Sequence, residues 1–394
     1  MRLIKKIFVF PRVIYFFIPI VIISLFFTNL PSSAADITSI KFIGEVTLPK
    51  NLTLQKTEVG GLSGITYDAK NNLYYAISDD RGQKANTRFY TLKIDLSKGY
   101  LQKNGVAVVN VTTLLNRSEE KFPPSQTDTE GIALTNKGTV FISSEGDVGK
   151  LINPFIKEFS LSSGKEITTL PIPNKFLPDK NGQQGIRNNL AFESLTITPD
   201  EKYLFTATEN ALIQDGSAAK PKIGSPCRIL QYNLLSNQPE QEFLYQTEPV
   251  AQFLNLTGKF ASGLPDLFAL DNQGHLLSLE RSFTGLGFAV SLFQVSLEGA
   301  DDLHKINSLL AVNSKNIKPV QKKLLLDLRT LDVVLDNIEG LTLGPKLPDG
   351  ERSLILISDN NFNSLQRTKI LAFKIKIETP LIRLLRRLLP NLNR

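Results

Sequence analysis

The apolar positions of this chain fall in short runs, broken every few residues by Gly, Asn, Asp or Pro, and long stretches of helical period are scarce. Such runs read as strands separated by turns. One phrase recurs: a short apolar strand opened by a small or acidic residue, a turn, and a second strand ending in an acidic cluster. It occurs from Leu62 to Asp80, Thr129 to Asp147, Phe192 to Asn210, Leu264 to Arg281 and Ile338 to Asn361. From the Gly64 position to the closing acid the offsets are 15, 14, 15, 14 and 19, and between repeats that position advances by 67, 63, 72 and 74 residues.

Two more strands follow each hairpin: Arg88–Asp95 and Val106–Val111, Phe155–Leu161 and Glu166–Pro171, Arg228–Leu234 and Glu242–Tyr245. Repeated four-strand units close into a β-propeller, and a constant repeat phase counts against two packed sandwiches. The count gives an all-β fold of five blades. The last unit runs out after Thr368–Ile377, while Ile40–Leu48 has no partner, so that N-terminal strand is expected to complete the last blade and close the ring. Residues 297–335 are less regular; they leave room for a sixth, degenerate blade, and Asp301–Ala311 fits a helix.

The phase of the repeat carries chemistry. The start of a hairpin's first strand and the end of its second lie at one end. Glu130, Glu193, Asp266 and Glu339 at strand starts should therefore share one mouth with Asp79, Asp80, Glu145, Glu209, Glu280 and Asp359 at strand ends. The first repeat has no acid at its start. Carboxylates at such density repel one another and raise each other's pKa values, so a cation is expected among them. With two histidines and one cysteine in 394 residues, oxygen ligands dominate, and these select Ca²⁺, Mg²⁺ or Mn²⁺. Arg81, Arg281, Arg187 and Arg367 can pair with the acids or grip an anion. The competing reading is that strand-end acids cap turns.

The chain opens with Arg2, Lys5, Lys6 and Arg12, an apolar run from Val13 to Phe27, and Pro31-Ser-Ser-Ala-Ala35. This is the pattern of a signal peptide over 1–35, cleaved after Ala35, and places the rest outside the cytoplasm. The alternative is an uncleaved membrane anchor. The net charge of +7 then has an address: +4 lies in 1–35 and +3 in the tail 378–394, leaving 37 basic and 37 acidic residues in the domain 36–377. The tail, Pro380 to Pro390, suits a short basic amphipathic helix, which packs on the domain or touches an anionic membrane surface. No basic stripe with interleaved aromatics occurs in the body, which argues against nucleic acid. Cys227 alone excludes an internal disulfide, no Gly-x-Ser-x-Gly elbow occurs, His275 reads as a surface or packing residue at the start of a strand, and His304 has no identifiable partner.

Several phrases together resemble the phytase-like domain family, whose members are described by an esterase-like activity of phytase. They are Gly60-Gly-Leu-Ser-Gly-Ile, Ser78-Asp-Asp-Arg81, Asp128-Thr-Glu-Gly-Ile, Ser143-Ser-Glu-Gly146, Asn189-Leu-Ala-Phe-Glu-Ser-Leu-Thr, Ala207-Thr-Glu-Asn210, Leu279-Glu-Arg281, Asn337-Ile-Glu-Gly-Leu and Ile357-Ser-Asp-Asn360. The resemblance runs from about Phe42 to Phe373 and implies an exported β-propeller. It also implies that Asp79, Glu130, Glu145, Glu193, Glu209, Asp266, Glu280, Glu339 and Asp359 serve as catalytic or metal-binding acids. The resulting expectation is a divalent-cation-dependent phosphoester hydrolase, Ca²⁺ being the expected ion. Glu193 or Glu209 would serve as acid or base, Arg81 and Arg281 would orient substrate phosphate, and the other seven acids would hold metal. The substrate would be a phosphorylated small molecule. The alternative is a non-enzymatic propeller that binds a ligand or acts as a scaffold.

Overall fold

Adjacent residues on one strand point to opposite faces of its sheet, and here both faces are apolar. Tyr74 and Tyr75, Val140 and Phe141, Leu204 and Phe205, Leu276 and Leu277, and Leu354 and Ile355 are each a fully or almost fully buried pair on the second strand of a repeat. One member of each pair packs toward the preceding sheet and the other toward the next. Two-sided burial explains why the runs are continuously apolar rather than alternating.

The computed structural model describes residues 36–251, 258, 260–285 and 287–378. They form five four-stranded antiparallel sheets. Blade 1 holds strands Leu62–Asp68, Leu73–Ser78, Arg88–Ile94 and Val106–Thr113. Blade 2 holds Thr129–Leu134, Thr139–Ser144, Phe155–Ser160 and Glu166–Leu170. Blade 3 holds Thr196–Ile197, Tyr203–Ala207, Pro226–Asn233 and Gln238–Gln246. Blade 4 holds Ala261–Ala269, His275–Phe283, Phe288–Ser296 and Gln321–Asp327. Blade 5 holds Asn337–Lys346, Arg352–Asp359 and Lys369–Glu378. Its outer strand is the N-terminal Asp36–Thr47, in register Phe42 to Phe373. The expected closure of the ring by that strand is borne out. The first strands of successive blades touch one another, and that of blade 5 touches that of blade 1. Five interblade cores fill the wedges between sheets.

The ring has five blades, and residues 297–335 differ from both readings offered for them. They form neither a sixth blade nor a helix over Asp301–Ala311. Before returning as the outer strand of blade 4, the chain runs along the outer strand of blade 3, with Leu303 N donating to Glu242 O at 2.7 Å and Val320 N to Leu244 O at 2.9 Å. Buried cations take the carbonyls that a helix would have bonded internally. Arg228, fully buried, donates to Ile306 O at 2.9 Å while held by Asp215 at 2.6 Å and Glu242 at 2.7 Å. Lys175 Nζ donates to His304 O at 2.6 Å. The proposed leader 1–35 and the tail beyond Glu378 lie outside the described residues.

Candidate functional site

Strand register decides which side chains reach the axis. Leu62 pairs with Ser78 in blade 1, Thr129 with Ser144 in blade 2, Phe192 with Thr208 in blade 3 and Ile338 with Ser358 in blade 5. The hydroxyl residue faces into its blade, and the next residue, Asp79, Glu145, Glu209 or Asp359, faces the axis. Blade 4 is offset. Asp266 opposes Leu279 as Gly64 opposes Ile77 and Gly340 opposes Ile357. Glu280 therefore takes the position of the hydroxyl residues, and Arg281 takes the position of the acids.

The structure brings Asp79, Glu130, Glu193, Glu209, Glu339, Arg81 and Arg281 around one cavity of about 950 Å³. Glu145 and Asp359 sit behind this lining, each about 1% exposed. Asp266 and Glu280 are not brought to it. The Asp266 carboxylate accepts from Leu341 N and Leu267 N at 2.7 and 2.8 Å, tying blade 4 to blade 5. The Glu280 carboxylate takes Lys322 at 2.7 Å, Tyr245 Oη at 2.8 Å and Glu248 N at 2.7 Å. Asp80 likewise serves its loop, accepting from Lys84 N and Ala85 N at 2.8 Å and pairing with the buried Arg88. For these three acids the turn-capping and strand-tying role prevails. Arg187 and Arg367 do not pair with the acids but bond to backbone carbonyls, Arg187 to Ala211 and Gly216, Arg367 to Ser364 and Gln366. His275 packs against Asp271 at 2.8 Å, and the Cys227 thiol is buried.

Asp128, Asn189 and Asn337 belong to the site but carry no role in the sequence reading. Asp128 lies two residues before Glu130, just ahead of the strand Thr129–Leu134, and lines the same cavity; that spacing was the available signal. It holds Arg81 through two contacts, Nε to Oδ1 at 2.7 Å and Nη2 to Oδ2 at 2.5 Å, and Arg81 also donates to Asn189. Across the cavity Arg281 bonds Glu209 at 2.9 Å and also pairs with Glu339 and Asn337. Glycines make room for this crowding. A Cβ at Gly263 would come within 2.4 Å of Glu209 Cγ, and one at Gly61 within 2.0 Å of an Asp79 oxygen.

Seven carboxylates line the cavity against two guanidiniums. Burial, with the nearby Glu339 and Asp128 charges, pushes Asp79 up to about 7. Burial pushes Asp128 up to about 6 despite Arg81, and Glu145 up to about 8 with Asp128 adding to it. Burial first and acidic neighbours second also raise Glu130, Glu193 and Asp359. A carboxyl with a raised pKa in the folded chain binds more protons folded than unfolded. The stability it contributes is complete below the unfolded pKa and is lost as pH rises through the folded one. Chelator-treated protein is therefore expected to lose about 2–3 kcal/mol of unfolding free energy between pH 5 and pH 8. Urea titrations at the two pH values, with and without added Ca²⁺, measure it. Ca²⁺ should recover the loss at pH 8, and a flat apo profile would contradict the reading.

The cluster fits a hard cation. One carboxylate oxygen each from Asp128, Glu130 and Glu145 lies within 4.8 Å of the other two. Glu145 Oε1 accepts from Ala191 N, while its Oε2 is buried without a hydrogen-bond partner. An all-oxygen anionic donor set matches Ca²⁺, Mg²⁺ or Mn²⁺.

Comparison with known proteins gives three kinds of likeness. A family model described as phytase-like, esterase-like activity of phytase, matches residues 57–362. A protein of Arthroderma benhamiae described as an uncharacterized secreted protein is 26% identical over 141 residues, 30% of this chain and 26% of that protein. The chain thus spans about a quarter of that relative's length. Among solved structures, an endo-arabinase from Bacteroides thetaiotaomicron is 13% identical, with 84% of this chain and 99% of that one covered at a TM-score of 0.42. A periplasmic gluconolactonase from Pseudomonas aeruginosa is 10% identical, covering 82% and 89% at a TM-score of 0.32. No helix among the described residues is long and apolar enough to cross a membrane.

Proposed function

The chain belongs to the phytase-like family, and from that premise we propose that it is an exported, divalent-cation-dependent hydrolase of phosphate esters. The observation that carries the reading is the convergence of Asp128, Glu130 and Glu145 on one point, with a buried Glu145 oxygen left over. Asp128, Glu130 and Glu145 would hold the cation, with Asp79, Glu339 and Asp359 forming the acidic wall beside them. Asp266 and Glu280, occupied elsewhere, are not part of it. A divalent cation bound there would neutralise charge on a phosphoryl group and acidify a coordinated water.

The chain's own groups supply the rest. Arg81, partly exposed and braced by Asp128 and Asn189, presents a planar cation suited to phosphate oxygens. Arg281 faces the same cavity, braced by Glu209 and Glu339. Of the two candidate proton-transfer residues, Glu209 is committed to Arg281 and positions it. Glu193 carries no such cation, is held protonated by burial and by Glu145, Glu130, Glu209 and Glu339, and can protonate a departing ester oxygen. Export is supported by the N-terminal pattern and by the secreted relative.

The test is turnover of a panel of phosphomonoesters and phosphodiesters by the purified protein, with Ca²⁺, Mg²⁺ or Mn²⁺ and with chelator. Hydrolysis that chelator abolishes and one of the cations restores is the expected result. Absence of cation-dependent hydrolysis across the panel, with Ca²⁺ still raising the melting temperature, would leave a cation-stabilised binding propeller instead.

A further inference from the structure

The acids and arginines occupy only part of the cavity. At about 950 Å³ it has the size of a pocket for a drug-sized ligand, several times what a phosphate group fills. The rest of the lining is mixed, and one stretch of it is apolar. Phe283 follows Arg281 at i+2, on the same face of the strand His275–Phe283, so the cation and the ring open onto one space. Phe283 pairs across the hairpin with Phe288, ring centroids 5.0 Å apart. Val334, in the segment leading to blade 5, and Leu365, in the loop after its second strand, complete this wall and are 78% and 86% exposed. A contiguous apolar patch rimmed by polar residues is the kind of surface that takes a ligand.

We propose that this wall receives an alkyl or aryl group, so that the substrate is an amphiphilic phosphate ester: one phosphate at the arginines and acids, one apolar arm on Phe283, Phe288, Val334 and Leu365. The assignment rests on the phosphoester reading above for its polar end. The cavity offers phosphate two guanidiniums, Arg81 and Arg281, so further affinity must come from apolar contact.

Binding of phenylphosphonate and methylphosphonate to the full chain in CaCl₂, followed by calorimetry, tests this without needing turnover. The two share the anionic head and differ in the apolar arm. Phenylphosphonate is expected to bind about tenfold or more tightly, and that ratio should fall toward one in the double variant Val334→Ser, Leu365→Ser, whose exposed positions leave the fold intact. Equal affinities in the wild type, undetectable phenylphosphonate binding, or a ratio that survives in the double variant would each overturn the proposal. The two readings fail separately. A chain that discriminates the phosphonates yet hydrolyses no ester retains the apolar subsite and loses the hydrolase. One that hydrolyses esters but binds both phosphonates equally does the reverse.

Discussion

Arg281→Met is expected to lower the unfolding free energy by about 3–5 kcal/mol at pH 8, the cost of stripping one partner from a buried ion pair. Glu209 is 2% and Glu339 9% exposed, and both depend on the guanidinium that reaches them from blade 4. Burial already raises both acids, and the Arg281 charge is what opposes the rise. Without it they take up protons on folding. The deficit should therefore shrink toward pH 5, where protonation is inexpensive, and be largest at pH 8, where it is not. Adding Glu209→Gln to Arg281→Met should recover part of the loss, because a neutral amide tolerates burial where an unpaired carboxylate does not. Urea unfolding of the wild type and both variants at the two pH values measures this. A deficit independent of pH would place the role of Arg281 in packing alone.

The same position shows how far a sequence carries this kind of fold. Five recurrences of one phrase were enough for five blades, because each blade must present the same two-sided apolar hairpin to its neighbours. The closing strand was legible because Ile40–Leu48 had no local partner and the last unit lacked its outer strand. The site was legible only where the repeat keeps strict phase. In blade 4 the acids at Asp266 and Glu280 are shifted by one residue against the register, and one residue in a strand exchanges the two faces. Asp266 consequently bonds backbone amides of blade 5 and its own strand, and Glu280 meets Lys322 on its own outer strand. Arg281 inherits the axial place. Asp128 was visible in its phrase but held no role, since only the three-dimensional approach of Arg81 and Glu145 gives it one. The irregular course of 301–311 depends on Arg228 and Lys175, far earlier in sequence, satisfying its carbonyls.

Glu193→Gln separates the chemistry from the scaffold. If Glu193 protonates the leaving oxygen, its amide should lower kcat about 10²–10⁴-fold, the usual worth of a positioned general acid. KM should change little, since Glu193 holds no cation and the arginines keep their braces. Stability should move the opposite way. Glu193 is buried among like charges that raise its pKa well above the ordinary value, so at pH 8 the folded chain either carries a proton there or suffers the repulsion. A glutamine is isosteric with the protonated form and removes that penalty, so chelator-treated Glu193→Gln should be at least as stable as wild type at pH 8 and gain least at pH 5. A residue that merely supports the ring would show the reverse, lost stability at both pH values with activity falling only in proportion to the folded fraction. The ester used as probe adds a further constraint. With an aryl ester whose leaving group is a good one, proton donation matters less, so the loss in kcat should be smaller than with an alkyl ester. Equal losses on both would remove Glu193 from the proton-transfer step and leave it as part of the acidic wall around the cation.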